Sequence, residues 1–340
     1  MSSVLEVFNL RKYYPVRAGL FGRSAEVHAV DDVSFHVDAG ETLSIVGESG
    51  CGKSTVGRTI LRLVEPTAGE IYLDGWRVDT VPIQGMRRLR KKLQVVYQDP
   101  FSSLNPRLSV RDIIAEPLEN FGMGQSRSEI DDQVADLLDK VRLPRDAMKR
   151  LPHEFSGGQR QRIGIARALA PKPDIIICDE AVSALDVSVK AQIVNLFTDL
   201  QQELGLALLF ISHDLAIVEH LTHRVAVMYL GQIVEIGDRR TIFSAPGHPY
   251  TQALLSSIPV ADPKAKRNRQ VLRGEVPSPV NPPSGCRFRT RCAYAFDRCA
   301  VEMPRLVRKT AEGHQVACHL HENVAAADTA GNASKEIQPA

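Results

Sequence analysis

The residues best suited to chemistry form one short loop near the start of the chain. Residues 47–55 read GESGCGKST, which matches in full the pattern G-x-x-x-x-G-K-[ST] of loops that bind nucleotide phosphates. The glycines let backbone N–H groups curl around an anion, and the N-terminus of a following helix adds positive potential. We expect Lys53 to reach the β- and γ-phosphates and the Ser54 hydroxyl to bind Mg²⁺. The predicted nucleotide-binding residues of this loop are Gly47, Ser49, Gly50, Cys51, Gly52, Lys53, Ser54 and Thr55.

Two carboxylates follow an aliphatic run, residues 174–178, that is typical of a buried strand. A carboxylate at the carboxyl end of such a strand, beside a phosphate loop, is where a Mg²⁺ ligand belongs, and this favours Asp179. Glu180 is then placed to activate a water molecule for attack on the γ-phosphate. A strand that ends in a polar turn is the alternative, and the phosphate loop upstream argues against it.

Other polar and aromatic residues stand at the ends of predicted strands. His213 follows the strand 206–212; a lone histidine there is more often structural, but its place after a second buried strand favours a γ-phosphate contact. Tyr14 follows the first strand, where it either stacks on an adenine ring or is a half-buried aromatic of the strand end.

A glycine pair opens another predicted helix. Ser156, Gly157, Gly158 and Gln159 precede the helix 160–169, so the first N–H groups of that helix are open to an anion. Farther along, residues 183–186 read SALD and begin a helix for which Ser183 or Asp186 is a suitable cap. A thiol near a helix N-terminus often has a lowered pKa, so we expect Cys51 to be sensitive to alkylation.

The elements that must position these residues are those of an α/β protein. Two early strands look like an antiparallel β layer beside the nucleotide site, and residues from 110 to about 152 form a helical insertion with one apolar face. The predicted strands are 4–10, 27–37, 41–46, 70–73, 93–97, 174–178 and 206–212, and the predicted helices are 55–62, 130–141 and 160–169.

Length and composition agree with a large globular domain and a smaller one. The chain has 340 residues, 44% of them apolar, and a net charge of +2 that neither supports nor excludes nucleic acid. No apolar run reaches the roughly 18 residues of a membrane helix, and the N-terminus lacks a signal-peptide pattern. We therefore expect a cytosolic chain whose six cysteines do not form structural disulfides.

Taken in order, the motifs resemble those of ABC transporter ATP-binding subunits over about residues 4–245. They are GESGCGKST at 47–55, Gln98, FSGGQRQR at 155–162, IIICDE at 175–180, SALD at 183–186 and His213. The resemblance implies a P-loop NTPase cassette with a RecA-like core, an antiparallel β subdomain and a helical subdomain at about 100–165. One departure is Ala181, where the family usually has proline; the loop after Glu180 is then somewhat freer.

The resemblance also implies roles for the matching residues. Tyr14 would stack on adenine, and Gln98 would contact Mg²⁺ or the attacking water and sense the membrane partner. Asp179 would bind the metal, Glu180 would be the general base, and His213 would contact the γ-phosphate. The remaining nucleotide contacts implied by the family are Ser156, Gly157, Gly158, Gln159 and Asp186, with residues 156–159 facing the ATP held by the opposite subunit.

The last third of the chain resembles the tail of dipeptide and oligopeptide importer ATPases, most closely their second, F-type subunit. The matching stretches are PGHPYTQALL at 246–255, PSP at 277–279 and FSSLNPR at 101–107. This implies an ATPase at the cytoplasmic face of the bacterial inner membrane that energises peptide import. The implied partners are a second, homologous ATPase in a heterodimer, two transmembrane permeases and an extracytoplasmic peptide-binding protein, with no nucleic acid.

Two alternatives to peptide import stay open. The same subunit in another importer would serve nickel, an opine, glutathione or another small solute. A soluble ABC ATPase acting on ribosomes or DNA is less favoured, because such proteins usually carry two cassettes or a long coiled coil and this chain has neither.

Four late cysteines, Cys286, Cys292, Cys299 and Cys318, lie in a small region that cannot bury much core. A [4Fe–4S] cluster, as some members of the resembling subfamily carry, is our specific prediction; zinc and free thiols stay open, with His314 and His319 as substitute ligands. We divide the chain into an ATPase domain at 1–245, a C-terminal domain at 246–322 and a tail at 323–340 expected to be disordered.

Overall fold

The computed structural model describes residues 3–16, 25–82, 84–124, 126–258, 272, 274–309 and 313–321. The disorder expected at 323–340 falls outside these residues. The strands are β1 (Ser3–Val16), β2 (Ala25–Asp38), β3 (Thr42–Val46), β4 (Ala68–Leu73), β5 (Trp76–Arg77), β6 (Leu93–Val96), β7 (Ile175–Asp179), β8 (Ala207–Ser212), β9 (Arg224–Tyr229), β10 (Gln232–Asp238), β11 (Val307–Arg308) and β12 (Gln315–Val316).

The α-helices are short to medium in length, and three 3₁₀ turns accompany them. The helices are α1 (Lys53–Ile60), α2 (Met86–Lys92), α3 (Val110–Asn120), α4 (Arg127–Lys140), α5 (Gly157–Leu169), α6 (Val187–Leu204), α7 (Leu215–Leu221), α8 (Arg239–Ser244), α9 (Pro249–Ser256) and α10 (Asp297–Val301). The 3₁₀ turns are Arg145–Lys149, Pro152–Glu154 and His319–His321.

The main sheet is mixed, with the strand order β11-β12-β10-β9-β3-β8-β7-β6. Its strands from β9 to β6 run parallel, so their carboxyl ends meet at one edge. Strands β3, β7 and β8 are buried along their whole length, which explains why they are apolar runs without alternation. Along β7 the side chains of Ile175 and Ile177 join one hydrophobic cluster, and those of Ile176 and Cys178 join the cluster on the opposite face.

A second sheet has the order β2-β1-β4-β5 and is antiparallel throughout, so the predicted β layer is confirmed. Strands β1 and β2 are longer than the sequence predicts, each with 14 residues. This layer lies against the phosphate loop: a Cβ on Gly52 would come within 2.0 Å of the carbonyl oxygen of Ala29 in β2.

Helices α3, α4 and α5 pack on each other beside the main sheet and share one hydrophobic core. Ser109 caps α3 by accepting a hydrogen bond from the N–H of Asp112, and Ser126 caps α4 in the same way. The start predicted for α5 at residue 160 is wrong. The helix begins at Gly157, because Ser156 is its N-cap and the glycines form its first turn.

The C-terminal residues pack directly on the cassette. Strand β12 pairs antiparallel with β10, and β11 pairs with β12, so both extend the main sheet. Nearby, Glu235 is fully buried and accepts hydrogen bonds from the N–H groups of Gly247 and His248, and it pairs with His314 Nε2 at 2.7 Å. In the part of the chain that the structure describes, no helix is both long and apolar enough to span a bilayer.

Candidate functional site

The phosphate loop connects the end of β3 to the start of α1, as the sequence predicts. Gly47 has φ 154° and Gly52 has φ 106°, and side chains at these positions would collide with the carbonyl oxygens of Met228 and Ala29. Both positions therefore require glycine for backbone reasons. Lys53 Nζ donates hydrogen bonds to the carbonyl oxygens of Gly47 at 2.8 Å and Glu48 at 2.9 Å, which holds the ammonium group inside the loop.

Ser54 and Asp179, the two residues predicted to bind Mg²⁺ from the loop and from β7, lie together. Ser54 Oγ donates a hydrogen bond to Asp179 Oδ1 at 2.6 Å although the residues are 125 positions apart. Burial raises the pKa of Asp179, and the Ser54 hydroxyl opposes this shift. Hydroxyl and carboxylate oxygens are the ligands that Mg²⁺ prefers, so the pair fits that ion.

Glu180 and His213 also meet. The distance between Glu180 Oε1 and His213 Nδ1 is 3.4 Å, with the Glu180 side chain 17% exposed and that of His213 52% exposed. Glu180 has φ 50°, a conformation that non-glycine residues rarely adopt, and its N–H donates to the carbonyl oxygen of Ile211 in β8. Backbone strain held by such a bond is common where a side chain must be aimed at a reacting group.

Gln98 is exposed two residues beyond the end of β6, at the same edge of the sheet. The backbone just before Gln98 is held by α5, because Gln161 Nε2 donates to the carbonyl oxygen of Tyr97 at 3.2 Å. The ends of β3, β6, β7 and β8 thus gather the loop, Gln98, the carboxylates and His213 at one edge.

Residues 156–159 do not join this cluster. In the described part of the chain, Ser156 and Gln159 bond to each other: the Gln159 N–H donates to Ser156 Oγ, and the Ser156 N–H donates to Gln159 Oε1. Gly158 packs so tightly on α6 that a Cβ would lie 2.4 Å from Val189 Cγ1. Asp186, one of the two predicted caps, caps α6 by accepting from the Val189 N–H at 2.9 Å.

The two neighbouring tyrosines near the end of β1, Tyr13 and Tyr14, have different surroundings. Tyr14 lies opposite Val27 of β2, and Lys12 Nζ is 4.8 Å from the centre of its ring. Tyr13 stacks on His28 and donates a hydrogen bond to Asp31 Oδ1 at 2.5 Å. Stacking of Tyr14 on adenine stays a prediction.

The expectation that Cys51 is a reactive thiol is wrong. Its side chain is 4% exposed and packs behind the loop, with Sγ 2.9 Å from where a Cβ on Gly47 would be. Burial raises the pKa of the Cys51 thiol, and the nearby Lys53 ammonium only opposes that shift. A buried, protonated thiol is a poor target for alkylation.

The four late cysteines converge on one enclosed cavity of about 10 Å³; Cys299 is buried and the other three are partly buried. Burial raises the pKa of Cys286 and Cys292, and raises that of Cys318 to about 11; the neighbouring thiols add to these shifts. The cavity has room for about one small atom, so a [4Fe–4S] cluster would require it to widen. Among the described residues, no group of three or more His, Cys, Asp or Glu side chains is arranged to hold a metal ion.

The phosphate loop also contacts the C-terminal residues, and no pattern in the sequence predicts these contacts. The Glu48 N–H donates to the Tyr250 hydroxyl oxygen at 2.9 Å, and the Glu48 carboxylate accepts from Arg291 Nη1 at 2.6 Å and Nη2 at 3.1 Å. Glu48 and Arg291 are 243 positions apart, and nothing in either local sequence indicates the pairing.

Comparison with known proteins places these features in context. The family described as ABC transporter matches residues 30–183, and the family described as Oligopeptide/dipeptide transporter, C-terminal region, matches residues 234–299. The chain is 54% identical to the Probable peptide ABC transporter ATP-binding protein y4tS of Sinorhizobium fredii, over 99% of this chain and 97% of that protein. It is 52% identical to the Oligopeptide transport ATP-binding protein AppF of Bacillus subtilis, over 94% and 98% of the two chains.

Solved structures with the same architecture include the ATP-binding cassette MJ0796 in a dimeric, post-hydrolysis state bound to ADP and Pi. The TM-score is 0.62 at 28% identity, over 69% of this chain and 99% of that one. The structure of cbiO1 from Clostridium perfringens, part of the transporter complex cbiONQ, matches with a TM-score of 0.62 at 26% identity, over 72% and 92%.

Proposed function

This chain belongs to the ATP-binding proteins of ABC transporters, and we propose that it is the subunit whose ATP hydrolysis energises import of dipeptides or oligopeptides. The observation that carries this is the combined match of the cassette and of residues 234–299 to the peptide-transporter C-terminal region. Relatives that align over nearly the full chain are named as peptide and oligopeptide transport ATP-binding proteins.

The geometry supports a specific hydrolysis mechanism. Lys53 and the loop N–H groups hold the β- and γ-phosphates, and Ser54 and Asp179 are the side chains that would hold Mg²⁺, which supplies positive charge at the phosphate oxygens. Glu180 accepts a proton from the attacking water while the water oxygen bonds to the γ-phosphorus. The bond between the γ-phosphorus and the β–γ bridging oxygen breaks, and ADP leaves. His213, 3.4 Å from Glu180, is placed to contact the γ-phosphate.

A second ATPase subunit completes each site in this proposal. Residues 156–159 form a helix start whose N–H groups suit an anion, and the hydrogen bonds of Ser156 and Gln159 stay within this segment. They would bind the ATP of the opposite subunit, and the related cassette MJ0796 is described as dimeric with nucleotide bound. We propose a heterodimer with a homologous ATPase, with Tyr14, Gln98 and Asp186 completing the nucleotide contacts.

The permeases would dock near Gln98. A groove of about 590 Å³ opens there between β6 and α3, lined by Tyr97, Ser103 and Arg167 among others. Phe101, two residues before Ser103, is 57% exposed, and the Arg160 guanidinium lies 4.2 Å from its ring centre. Since Arg160 follows residues 156–159 directly, this contact can transmit permease movement to the anion-binding helix. An extracytoplasmic binding protein would supply the peptide.

We also propose that residues 246–322 are a distinct C-terminal domain that the four cysteines stabilise through one metal centre, specifically [4Fe–4S]. Convergence of four thiols on one cavity supports a shared ligand, although the cavity must widen to accept a cluster. Anaerobically purified protein should be brown and contain about four iron and four sulfide per chain. One zinc per chain without iron would contradict the cluster.

Affinity purification from detergent-solubilised membranes, with partners identified by mass spectrometry, tests the assembly. We expect two multi-span permeases and a second ABC ATPase to be recovered with this chain. The peptide-binding protein would contact the permeases at the opposite face of the membrane. Ribosomal or DNA-repair proteins without a permease would contradict the transport function. Permeases whose binding protein retains nickel, an opine or glutathione, and no peptide, would contradict the peptide cargo.

A further inference from the structure

A carboxylate stands inside the loop that must bind the most highly charged part of ATP. Glu48 directly follows Gly47, and its own carbonyl oxygen accepts from the Lys53 ammonium. The Glu48 side chain is 26% exposed, so its negative charge is only partly screened by water. Without a partner, this charge would repel the triphosphate that the loop is built to bind.

Arg291 supplies the partner. Both of its terminal nitrogens donate to the two Glu48 oxygens, the bidentate arrangement that gives the strongest and most directional pairing. The Arg291 side chain is only 6% exposed, and the pairing raises its pKa, so it is charged at every physiological pH. It comes from the C-terminal residues, outside all the motifs of the cassette.

The segment that carries Arg291 is fixed on several sides. Arg287, four residues earlier, donates to the carbonyl oxygen of Leu230 and pairs with Asp31 of β2. Phe288 packs with the rings of Tyr229 and Tyr250, and the Tyr250 hydroxyl accepts from the Glu48 N–H. The segment is therefore held in place on the cassette, where Arg291 contacts the Glu48 side chain and Phe288 packs on the tyrosine of α9 that bonds the Glu48 backbone.

We propose that Arg291 is a positioning residue of the ATP site, whose charge neutralises Glu48 and thereby allows the phosphate loop to bind the triphosphate with full affinity. The inference rests on the proposed function as an ATPase and adds the C-terminal residues to its nucleotide site. Arg291 acts through Glu48 and does not touch the nucleotide itself.

A purely structural role makes a different prediction from charge neutralisation. If Arg291 only fastened the C-terminal residues, removal of either partner would cost stability, and ATP affinity would follow stability. If it neutralises Glu48, then Arg291→Gln leaves an unpaired carboxylate in the loop, and a second change, Glu48→Gln, removes the harm. The effect of adding Glu48→Gln to Arg291→Gln therefore distinguishes the two roles: ATP affinity recovers if Arg291 neutralises Glu48 and does not recover if its role is purely structural.

The experiment measures the Kd of a fluorescent ATP analogue with Mg²⁺, the KM and kcat of hydrolysis, and the Tm, on full-length chains. We expect Arg291→Gln to raise Kd and KM by about tenfold, within the usual range of coupling between sites, with kcat changed less than about twofold. Arg291→Lys should recover part of the affinity, and Glu48→Gln combined with Arg291→Gln should recover most of it. Arg289→Gln is the matched control, because in the described part of the chain the Arg289 side chain donates to Ser284 of its own segment and not to the phosphate loop.

Two outcomes would overturn the inference while leaving the proposed function intact. One is that the wild-type chain binds the analogue and the Arg291→Gln chain binds it with the same Kd. The other is a double variant that binds no better than Arg291→Gln alone. A wild-type chain that fails to bind the analogue with Mg²⁺ contradicts the proposed function itself, so the two failures are distinguishable.

Discussion

The side chains at the nucleotide site meet because the fold brings the carboxyl ends of parallel strands to one edge of the main sheet. Glu180 follows a buried strand, is held in a left-handed conformation, and lies 3.4 Å from His213. Ser54 and Asp179 lie within 2.6 Å of each other because β3 and β7 both run parallel to β8, the strand between them. The phosphate loop, the two carboxylates and His213 are thus brought together from the ends of three strands, β3, β7 and β8.

Substitution of Glu180 by Gln should separate nucleotide binding from hydrolysis. The amide keeps the shape of the side chain but cannot accept the proton of the attacking water, so hydrolysis should slow by roughly 10²- to 10⁴-fold while Mg·ATP still binds. Single-turnover hydrolysis and equilibrium binding on the same preparation measure the two effects. Normal turnover in this variant would refute the general-base role.

Among single residues, the sequence predicts those whose role follows from a short motif around them. The phosphate loop, Asp179 and Glu180 are recognisable because short patterns fix both their chemistry and their place after a strand. The pairing of Glu48 with Arg291 and the burial of Cys51 are not recognisable, since each depends on which distant segments pack against the loop. The Cys51 prediction is wrong for that reason. The sequence indicates the helix N-terminus next to this thiol, but it does not indicate that the thiol is buried.

At the scale of elements, the start of α5 depends on close contact with α6. Gly158 has no room for a Cβ, because Val189 Cγ1 would lie 2.4 Å from it. Sequence reasoning assigned the glycine pair to anion binding alone, and it placed the helix three residues too late. The second glycine also has a packing role that only the α5–α6 contact reveals.

The change Gly158→Ala should therefore lower the free energy of unfolding by about 1–3 kcal/mol, the usual cost of overpacking. Val189→Ala in the same chain should restore most of the loss by removing the methyl group that collides. Urea denaturation monitored by circular dichroism measures both. Gly157→Ala is the control, since its Cβ would meet Leu185 Cδ2 at an ordinary 3.5 Å; an equal loss in both single variants would contradict the packing account.

The link between β10, α9 and β12 depends on the buried carboxylate of Glu235. Burial alone would raise the pKa of Glu235, but hydrogen bonds from His314 and from the N–H groups of Gly247 and His248 outweigh it and lower the pKa. The folded state thus holds the charged form more strongly than the unfolded state does. Its contribution to stability is present above the ordinary glutamate pKa of about 4.3 and is lost as the pH falls through the lower, folded-state value.

Replacement by Gln should cost about 3 kcal/mol near neutral pH, because buried N–H groups lose a charged acceptor. The variant should also lose part of the acid dependence of stability below about pH 4.3. Urea titrations at several pH values measure both effects. Glu302→Gln is the control: its side chain is 56% exposed in a surface ion pair, so it should change stability by less than about 1 kcal/mol.

At the scale of the whole molecule, the sequence predicts the cassette better than its attachment to the C-terminal residues. The order of motifs gives the α/β core and the antiparallel layer. Strands β9 and β10 are missing from the sequence-based prediction, and they form the surface on which the C-terminal residues dock. The pairing of β10 with β12 joins residues about 80 positions apart, and such long-range pairing leaves no local pattern.

The position of Phe101 predicts a separable partner contact. Phe101→Ala should reduce recovery of permeases in affinity purification by about tenfold, since a large exposed aromatic at an interface commonly contributes more than 1 kcal/mol. The Tm should stay within about 2 °C of wild type, because the ring is 57% exposed. Phe8→Ala, at a ring 44% exposed on the other sheet, is the matched control and should leave recovery unchanged; equal losses in both variants would argue against this docking site.

Peptide import can be measured as uptake of a labelled peptide mixture by cells that lack this chain, complemented with either the wild-type or the Glu180→Gln form. We expect the wild-type chain to restore ATP-dependent uptake and the Glu180→Gln chain, present in the membrane fraction at equal abundance, to restore none. Uptake that is unaffected by loss of the chain, or restored equally by both forms, would contradict the claim that ATP hydrolysis by this protein powers peptide import.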